Sequence, residues 1–396
     1  LARELGLPLF CVRAASTTTP AAWRLEPVAG NRGPCADACG PAQADDIALV
    51  LSTSGTTAEP KRVPLTHANL CASATHIRDR MQLTADDRSL SVVPLFHIHG
   101  LTAGLLAPLA AGSLVACAAG FNPLYFFVWF ADVRPTWFTA VPAMHQMLLA
   151  RAQHHRALLA AHRLRFVRSS TAPISRQTVA ALEAAYDAPL IESYGMTEAA
   201  GQIACNPLPP QQRRPGAVGT AAGPQIAIVD AAGRPLAAHT DGEIAICGPN
   251  VMRGYLDAPA DNQAAFVGEW FRTGDLGRLD DDGYLTISGR LREVINRGGD
   301  KVAPGEVDQA LLEHPAVAQA VAFPLPSALL GEEVGAAIVL RDPDAATDRE
   351  LRDFAAQRLA DYKVPRKIVI VDRIPQTEAG KVKRGTLASA LGLVQT

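Results

Sequence analysis

The sequence lacks any long run of one charge and any cysteine-rich pattern. Its 396 residues carry 37 Lys and Arg against 39 Asp and Glu, a net charge of -2, so no basic cluster suggests nucleic acid or an anionic membrane as a partner. The seven cysteines are odd in number and scattered, which is typical of a reducing compartment without a disulfide framework. Cys35 and Cys39 form the only close pair in the sequence, and no second pair completes a zinc site.

Charged side chains are also missing between Arg88 and Asp132. A membrane span needs about 20 continuous apolar residues, but several prolines divide this region, and His97 and His99 would be costly in lipid. The pattern therefore predicts buried strands and a core helix. The N-terminus has no basic-then-apolar leader and the ending Val394-Gln395-Thr396 is not a peroxisomal signal, so we expect a cytoplasmic protein.

Short apolar runs alternate with helical patterns over the first half of the chain, and 48% of all residues are hydrophobic. This alternation predicts an α/β protein with a mostly parallel sheet that is covered on both faces. Thr66 and Ser175 are expected to cap helices. Strands are predicted at residues 47–51, 89–93, 113–118, 164–167 and 190–194, and helices at 101–111, 144–152 and 179–186.

Glycine-containing turns separate short β runs between residues 216 and 288, which predicts a β-rich subdomain. An α+β pattern begins near Arg292 and continues to the end. We therefore expect a large domain at residues 1–291 and a small, mobile C-terminal domain at 292–396.

A loop rich in hydroxyl groups follows the first of these strands. Such a loop offers backbone N–H groups, hydroxyls and one positive charge to a polyphosphate, although the spacing of the Walker motif is absent. A surface turn rich in Ser and Thr is the structural alternative. The candidate phosphate-binding residues are Thr53, Ser54, Gly55, Thr56, Thr57 and Lys61.

Further motifs stand downstream in a fixed order. They are Glu192-Ser193-Tyr194-Gly195-Met196-Thr197-Glu198, then Arg272-Thr273-Gly274-Asp275, then a segment from Gly289 to Lys301, then one from Pro375 to Arg384. Together with the first loop they resemble the superfamily of adenylate-forming enzymes, which includes acyl-CoA synthetases, peptide-synthetase adenylation domains and firefly luciferase. The resemblance extends from about Asp45 to the end of the chain.

The resemblance implies a nucleotide site built from acidic residues. Glu198 offers a hard oxygen ligand for Mg²⁺ bound to ATP phosphates, and its neighbour Thr197 offers a hydroxyl to the α-phosphate. Asp275 is an acceptor suited to two ribose hydroxyls, and Arg290 is suited to ribose and phosphate oxygens. A helix N-terminal Thr/Glu pair and a β-turn carboxylate are the structural alternatives for Glu198 and Asp275.

Residues around the adenine are implied in the same way. The loop Ser170, Thr171, Ala172 and Pro173 resembles the adenine-side loop, and Glu192, Ser193 and Gly195 flank Tyr194, the candidate stacking ring. Tyr194 could equally belong to the core. His97 matches an aromatic-or-His gate near the acyl site, with Ser169 as a further substrate residue, whereas we interpret His99 as structural.

The C-terminal part supplies the moving pieces. In the family, the residue matching Arg292 is the hinge, and the glycines matching Gly298 and Gly299 let the pantetheine arm of coenzyme A approach the backbone. Lys381 is the candidate catalytic lysine that reaches the reacting carboxylate and α-phosphate. We expect Lys383 and Arg384 to be solvated.

Within the superfamily, the oxalate–CoA ligases are most similar in segments such as residues 93–101, 206–209 and 295–299. A very small diacid needs a polar pocket, which His97, Ser169 and Ser170 could supply. The family pattern usually has a His where this chain has Gly201, and its absence predicts a larger pocket. The family's large domain is expected to begin about a hundred residues before the present sequence.

The resemblance implies an ATP-dependent acid–CoA ligase that uses ATP, Mg²⁺ and coenzyme A on a small carboxylic acid. A stand-alone adenylation domain that loads a carrier protein and an inactive fragment stay open as alternatives. The sequence does not indicate an oligomeric state.

Overall fold

The computed structural model describes residues 10–14, 23–27, 41–53, 60–375 and 382–394. The chain divides into two compact units, residues 1–46 and 47–396. In the first unit, strand β1 (Phe10–Ala14) pairs with β2 (Trp23–Pro27) in an antiparallel hairpin.

The second unit begins with another antiparallel hairpin, formed by β3 (Ile47–Ser52) and β4 (Arg62–Thr66). Helix α1 (His67–Arg80) follows directly. The Thr66 hydroxyl accepts a hydrogen bond from the Asn69 amide at 3.1 Å, and the Asn69 side chain accepts one from the Thr66 amide at 3.0 Å. This reciprocal pair satisfies two of the unpaired N–H groups at the helix start, so the predicted cap is confirmed.

A mostly parallel sheet forms the centre of the second unit, as the alternation of strands and helices predicts. The strand order is β6-β5-β7-β8-β9-β10-β11, in which β5 to β9 are parallel and the two last strands are antiparallel. The strands are β5 (Arg88–Ser91), β6 (Leu114–Cys117), β7 (Trp137–Ala140), β8 (Phe166–Ser169), β9 (Leu190–Tyr194), β10 (Ala204–Cys205) and β11 (Thr220–Ala221).

Helices pack against this sheet, and the uncharged region after Arg88 supplies part of the core. Phe126, Phe130 and Phe138 are fully buried in one cluster with Leu148. The helix expected at 101–111 begins earlier and contains one π-helical turn at Thr102–Leu106. Among the described residues, no helix combines the length and apolar character needed to cross a membrane. The helices are α2 (Ile98–Leu101), α3 (Ala107–Ala110), α4 (Phe126–Val133), α5 (Pro142–Ala152), α6 (Arg156–Ala161) and α7 (Arg176–Tyr186).

The predicted β-rich segment is an antiparallel sheet of order β12-β13-β15-β14, with β16 also paired to β15. The β15–β16 register places Asp275 opposite Arg290. The elements are β12 (Gln225–Val229), β13 (Gly242–Cys247), α8 (Pro259–Ala265), β14 (Phe266–Val267), β15 (Trp270–Leu279) and β16 (Leu285–Arg290).

The C-terminal part has its own sheet, of order β18-β17-β20-β19, with β21 parallel to β20. Val307, Leu311, Ile338 and Leu351 are buried in a cluster of this part. A domain boundary at residue 292 stays a prediction. The elements are β17 (Ile295–Arg297), β18 (Asp300–Val302), α9 (Pro304–Leu312), β19 (Val317–Ser327), β20 (Gly331–Leu340), α10 (Asp348–Ala356), β21 (Lys367–Ile370) and α11 (Arg384–Ala390).

Arg384 is not solvated, contrary to the expectation from the sequence. Its guanidinium pairs with Asp308 at 2.6 Å and with Glu293 at 3.0 Å, and it donates to the Ala322 carbonyl at 2.7 Å. Lys383, by contrast, is exposed as expected. The sequence-based prediction for Arg384 is wrong because the two carboxylates come from distant segments that the fold brings together.

We predict that Asp308→Ala lowers the free energy of unfolding by about 3 kcal/mol, because it removes the closer of the two carboxylates that pair with the largely buried Arg384 and leaves the buried Ala322 amide without its acceptor. Urea denaturation of the purified chain measures this change. Asp353→Ala is the matched control, since Asp353 is exposed and lies 4.0 Å from Arg349. The control should change stability by less than about 0.5 kcal/mol. Equal small effects of both substitutions would contradict a stabilising role for the buried pair.

Candidate active site

The predicted site residues of the large α/β part follow strands whose carboxyl ends meet at one edge of the parallel sheet. His97 and His99 follow β5, the segment 168–173 ends β8, and the segment 194–198 ends β9. Ligands bind at this edge in open α/β sheets, because loops from several strands converge there. The fold therefore gathers motifs that are far apart in the sequence.

Glu198 lies buried at the start of the segment after β9, with 7% of its surface exposed. The Tyr255 hydroxyl donates to Glu198 Oε1 at 2.9 Å, and the Met252 amide donates to the Glu198 carbonyl at 2.8 Å. Burial raises the pKa of Glu198, while the hydrogen bond from Tyr255 and the charge of Arg290 lower it. Thr197 directly precedes this carboxylate and is half-buried.

Tyr255 links Glu198 to the first loop. Lys61 Nζ lies 4.7 Å from the centre of the Tyr255 ring and forms an ion pair with Asp261. Burial raises the pKa of Tyr255, and the charge of Arg292 opposes that rise. The structure thus brings two predicted residues, Lys61 and Glu198, into contact with one tyrosine. Tyr255 and Asp261 were not predicted as site residues, because no local pattern in the sequence marks either position.

Asp275 forms the second acidic point, with 6% of its surface exposed. The Tyr194 hydroxyl donates to Asp275 Oδ2 at 2.5 Å, and Arg290 Nε lies 3.1 Å from Asp275 Oδ1. Burial raises the pKa of Asp275, and the Arg290 charge with the Tyr194 hydrogen bond opposes this rise. Both carboxylate oxygens therefore already face donors, of which Arg290 is exposed and free to exchange for another partner.

The phosphate loop is described only at its two ends. The Thr53 amide donates to the Lys61 carbonyl at 2.8 Å, which closes the loop across β3 and β4. The predicted residues Ser54, Gly55, Thr56 and Thr57 lie outside the described residues, as does Lys381.

Hydrogen bonds at the start of the predicted adenine-side loop join the ends of the neighbouring strands β8 and β9. The Ser170 hydroxyl donates to the Ser193 carbonyl at 3.2 Å, and the Ser193 hydroxyl donates to the Ser169 carbonyl at 3.1 Å. The following residues Thr171, Ala172 and Pro173 are exposed.

Tyr194 is buried in a hydrophobic cluster, which agrees with its interpretation as a core residue. Its hydroxyl group nevertheless reaches Asp275. A Cβ at Gly195 would lie 2.2 Å from the Gly201 carbonyl oxygen, so this close approach of two chain segments requires glycine at 195. The adenine-binding role of these residues stays a prediction.

Two predicted substrate residues differ in their surroundings. His97 is exposed, and its ring lies 4.5 Å from the Phe96 ring. Gly201 has a φ of 93°, and a Cβ there would lie 2.6 Å from Thr102 Oγ1. Thr102 therefore lies directly against Gly201, and the larger pocket that the missing His predicts stays a prediction.

Arg168 is a buried residue of this edge that the sequence analysis did not select as a site residue. Its guanidinium donates to Gln202 Oε1 at 2.9 Å and to Thr139 Oγ1 at 3.4 Å. His99 lies beside it and bonds to the same Thr139 hydroxyl at 2.7 Å. The sequence did contain a signal for Arg168, because a charged side chain is unusual inside a parallel strand that is buried on both faces.

Gly298 and Gly299 form the turn between β17 and β18, with φ values of 59° and 105°. The Gly298 amide donates to the Leu330 carbonyl at 2.8 Å. These left-handed conformations explain the glycines as a turn, and their contact with coenzyme A stays a prediction.

Glu192 yields a pH-dependent prediction. It is 8% exposed, and burial raises its pKa to about 7, although the Gly216 amide, Arg176 and Arg213 favour the charged form. A raised carboxylate pKa contributes stability below pH 4.5 that is lost as the pH rises toward 7. Between pH 4.5 and 7.5, the free energy of unfolding of the wild type should fall by about 3 kcal/mol more than that of Glu192→Gln. If the free energies of unfolding of the two proteins change by the same amount across this pH range, the raised pKa of Glu192 would be contradicted.

Comparison with known families and proteins identifies the arrangement. Residues 11–256 match the family described as AMP-binding enzyme, and residues 306–381 match the AMP-binding enzyme C-terminal domain. An oxalate–CoA ligase of Arabidopsis thaliana is 44% identical over 347 residues, which cover 87% of this chain and 67% of that protein. A sulfoacetate–CoA ligase of Cupriavidus necator is 39% identical over 345 residues, which cover 87% and 67%.

Among solved structures, ATP-bound MatB from Rhodopseudomonas palustris superposes with a TM-score of 0.81 at 31% identity, covering 88% of this chain and 69% of that chain. The chain thus spans about two thirds of the length of these proteins. The predicted α/β fold with a separate C-terminal domain and the acid–CoA ligase class are confirmed at the level of the family. The chain belongs to the AMP-binding enzymes, the adenylate-forming family that its motifs resemble.

Proposed function

We propose that this chain joins a small carboxylic acid to coenzyme A in two steps, using ATP and passing through an acyl-adenylate. The observation that carries the proposal is the pair of buried carboxylates, Glu198 after β9 and Asp275 on β15, with Tyr194 at the end of β9 donating to Asp275 and Arg290 pairing with it. The family match supplies the chemistry that such a pair serves.

Glu198 fits a magnesium ion that is shared with nucleotide phosphates. Within the described ranges no group of three or more His, Cys, Asp or Glu side chains is arranged to hold a metal. Mg²⁺ is commonly bound by one or two carboxylates, with substrate phosphates and water completing its shell, so a single buried carboxylate suffices. The ion would neutralise charge on the phosphates when bound, and Tyr255 would orient the carboxylate that holds it.

Asp275 would accept the ribose hydroxyls by exchanging its present partner Arg290, which then faces ribose or phosphate oxygens. Lys61 would contribute positive charge to the phosphates with the loop that begins at Thr53. These groups position and neutralise the substrate, because phosphoryl and adenylyl transfer need charge stabilisation more than covalent chemistry.

The C-terminal part would complete the site with different residues in each of the two steps. Lys381 stabilises developing charge on the reacting carboxylate in the first step. A rotation about Arg292, between domains at 1–291 and 292–396, then withdraws it and brings Gly298 and Gly299 to the pantetheine arm. Such a closure keeps water from the reactive anhydride.

Oxalate is the acid that we favour, on the strength of the 44% identity with an oxalate–CoA ligase. Sulfoacetate, the acid named for the second relative, is also small and carries a second anionic group. His97, Ser169 and Ser170 are the proposed polar residues of the acyl pocket, and the cytoplasm is the proposed compartment.

Pyrophosphate release over a panel of acids tests the proposed function. Oxalate, malonate, short fatty acids and aryl acids are each assayed with ATP and Mg²⁺, with and without coenzyme A. We expect release with at least one small acid and formation of its thioester when coenzyme A is added. Release without thioester would favour a carrier protein as the acceptor, and no release with any acid would refute the proposal.

The division of labour between the two steps predicts a selective defect. Lys381→Ala should slow adenylation by about 10²–10³-fold, as loss of one charge-stabilising donor does, while sparing thioester formation from a supplied acyl-adenylate. Lys383→Ala is the matched control, since Lys383 is an exposed lysine two residues away. Rapid-quench measurement of each half-reaction decides the matter, and equal loss of both steps in Lys381→Ala would argue against this role.

A further inference from the structure

Arg168 is fully buried, and its side-chain partners are all neutral. These partners are the Gln202 amide oxygen, the Thr139 hydroxyl and the Cys205 thiol. None of the ion pairs found in residues 60–375 includes Arg168, although at least fourteen other arginines of that range form one. Because a buried charge without a counter-charge is costly, this arginine needs an anion that the described residues do not supply.

The surroundings of Arg168 offer further donors. Arg168 Nε and Gln202 Nε2 are buried and have no oxygen or nitrogen acceptor among the described residues, and the one other polar group that both side chains meet is the weakly accepting Cys205 thiol. His99 lies beside them, and burial together with the Arg168 charge lowers its pKa well below the usual value, so the ring is neutral at pH 7. One cation and two N–H groups that lack an oxygen acceptor form a site for an anion with several acceptor oxygens.

The position of the cluster suggests which anion it receives. His99 Nδ1 bonds to the hydroxyl of exposed Thr171 at 3.2 Å, so the cluster lies one side chain below the surface of the predicted adenine-side loop, directly after the predicted substrate residue Ser169. Thr171 has a φ of 84°, which is a strained conformation for a β-branched residue. A shift of this residue would open the cluster toward the acyl side of the site.

We propose that Arg168, with His99 and Gln202, receives the second anionic group of the acid, so that the enzyme selects acids carrying a carboxylate or sulfonate besides the reacting carboxylate. This inference rests on the proposed function and adds a specificity-determining residue to it. The competing explanation is that Arg168 only fixes Gln202 and the neighbouring strand, in which case its loss would weaken every substrate alike.

Isosteric acid pairs test the proposal on the full chain. Oxalate is compared with oxamate, malonate with malonamate, and sulfoacetate with methylsulfonylacetate, since each partner has the same size and one charge fewer. In pyrophosphate release, kcat/KM of the wild type should favour at least one dianion by about 100-fold, the effect of one desolvated charge pair. Arg168→Gln should reduce this ratio to below about tenfold, and Arg168→Lys should retain more of it.

Arg80→Gln is the matched control. Arg80 donates to the Cys205 carbonyl on β10 at 3.0 Å, whereas Arg168 meets the thiol of the same residue, and Arg80 bonds to Thr220 rather than to Gln202 or Thr139. The control should keep the wild-type ratio. Loss of selectivity in both variants would indicate a general structural effect and overturn the assignment to Arg168.

The outcomes separate this inference from the proposed function. Absence of pyrophosphate release with every acid would refute the proposed function, whereas an active wild type that uses none of the three dianions better than its partner acid would refute the inference alone. If Arg168→Gln does not fold by circular dichroism, Gln202→Leu replaces it. That variant should lower the dianion preference at least about fivefold, and an unchanged ratio would overturn the proposal.

Discussion

Burial of the acidic groups is the constraint on which the rest of the site depends. Glu198 and Asp275 are nearly enclosed, whereas Arg290 beside them is exposed. Each carboxylate is held by a tyrosine hydroxyl, from Tyr255 and Tyr194 respectively. These hydrogen bonds stabilise charges that burial would otherwise neutralise, and the low dielectric strengthens their attraction for an incoming metal ion or hydroxyl group. The mobile partner is therefore the cation, which is suited to leave when a nucleotide enters.

The fold explains why these groups meet. Parallel strands place the ends of β5, β7, β8 and β9 along one edge, while the antiparallel register of β15 and β16 sets Asp275 across from Arg290. Gly195 lets the chain after β9 pass against the segment at Gly201, which turns Glu198 inward. Secondary structure and close backbone packing thus position the acidic groups before any substrate binds.

Local signals predicted much of this arrangement. The caps Thr66 and Ser175, the strand of residues 190–194 and the change to β-rich structure after residue 216 all rest on neighbouring residues, and the structure confirms them. Contacts between distant segments were not predictable in this way. Tyr255 and Asp261 join the site only through the fold, and Arg384 is buried because carboxylates from two other segments reach it. Arg168 was visible as a charge in a buried strand, but its lack of an acidic partner required coordinates.

The most direct test of the central claim is a crystal structure with a stable acyl-adenylate mimic, such as an acyl-sulfamoyl adenosine. In this complex Asp275 should contact the ribose hydroxyls and Glu198 should face the sulfamate end, with Arg290 displaced from its present position against Asp275. A mimic bound elsewhere, or both carboxylates directed away from it while Arg290 stays in place, would contradict the account.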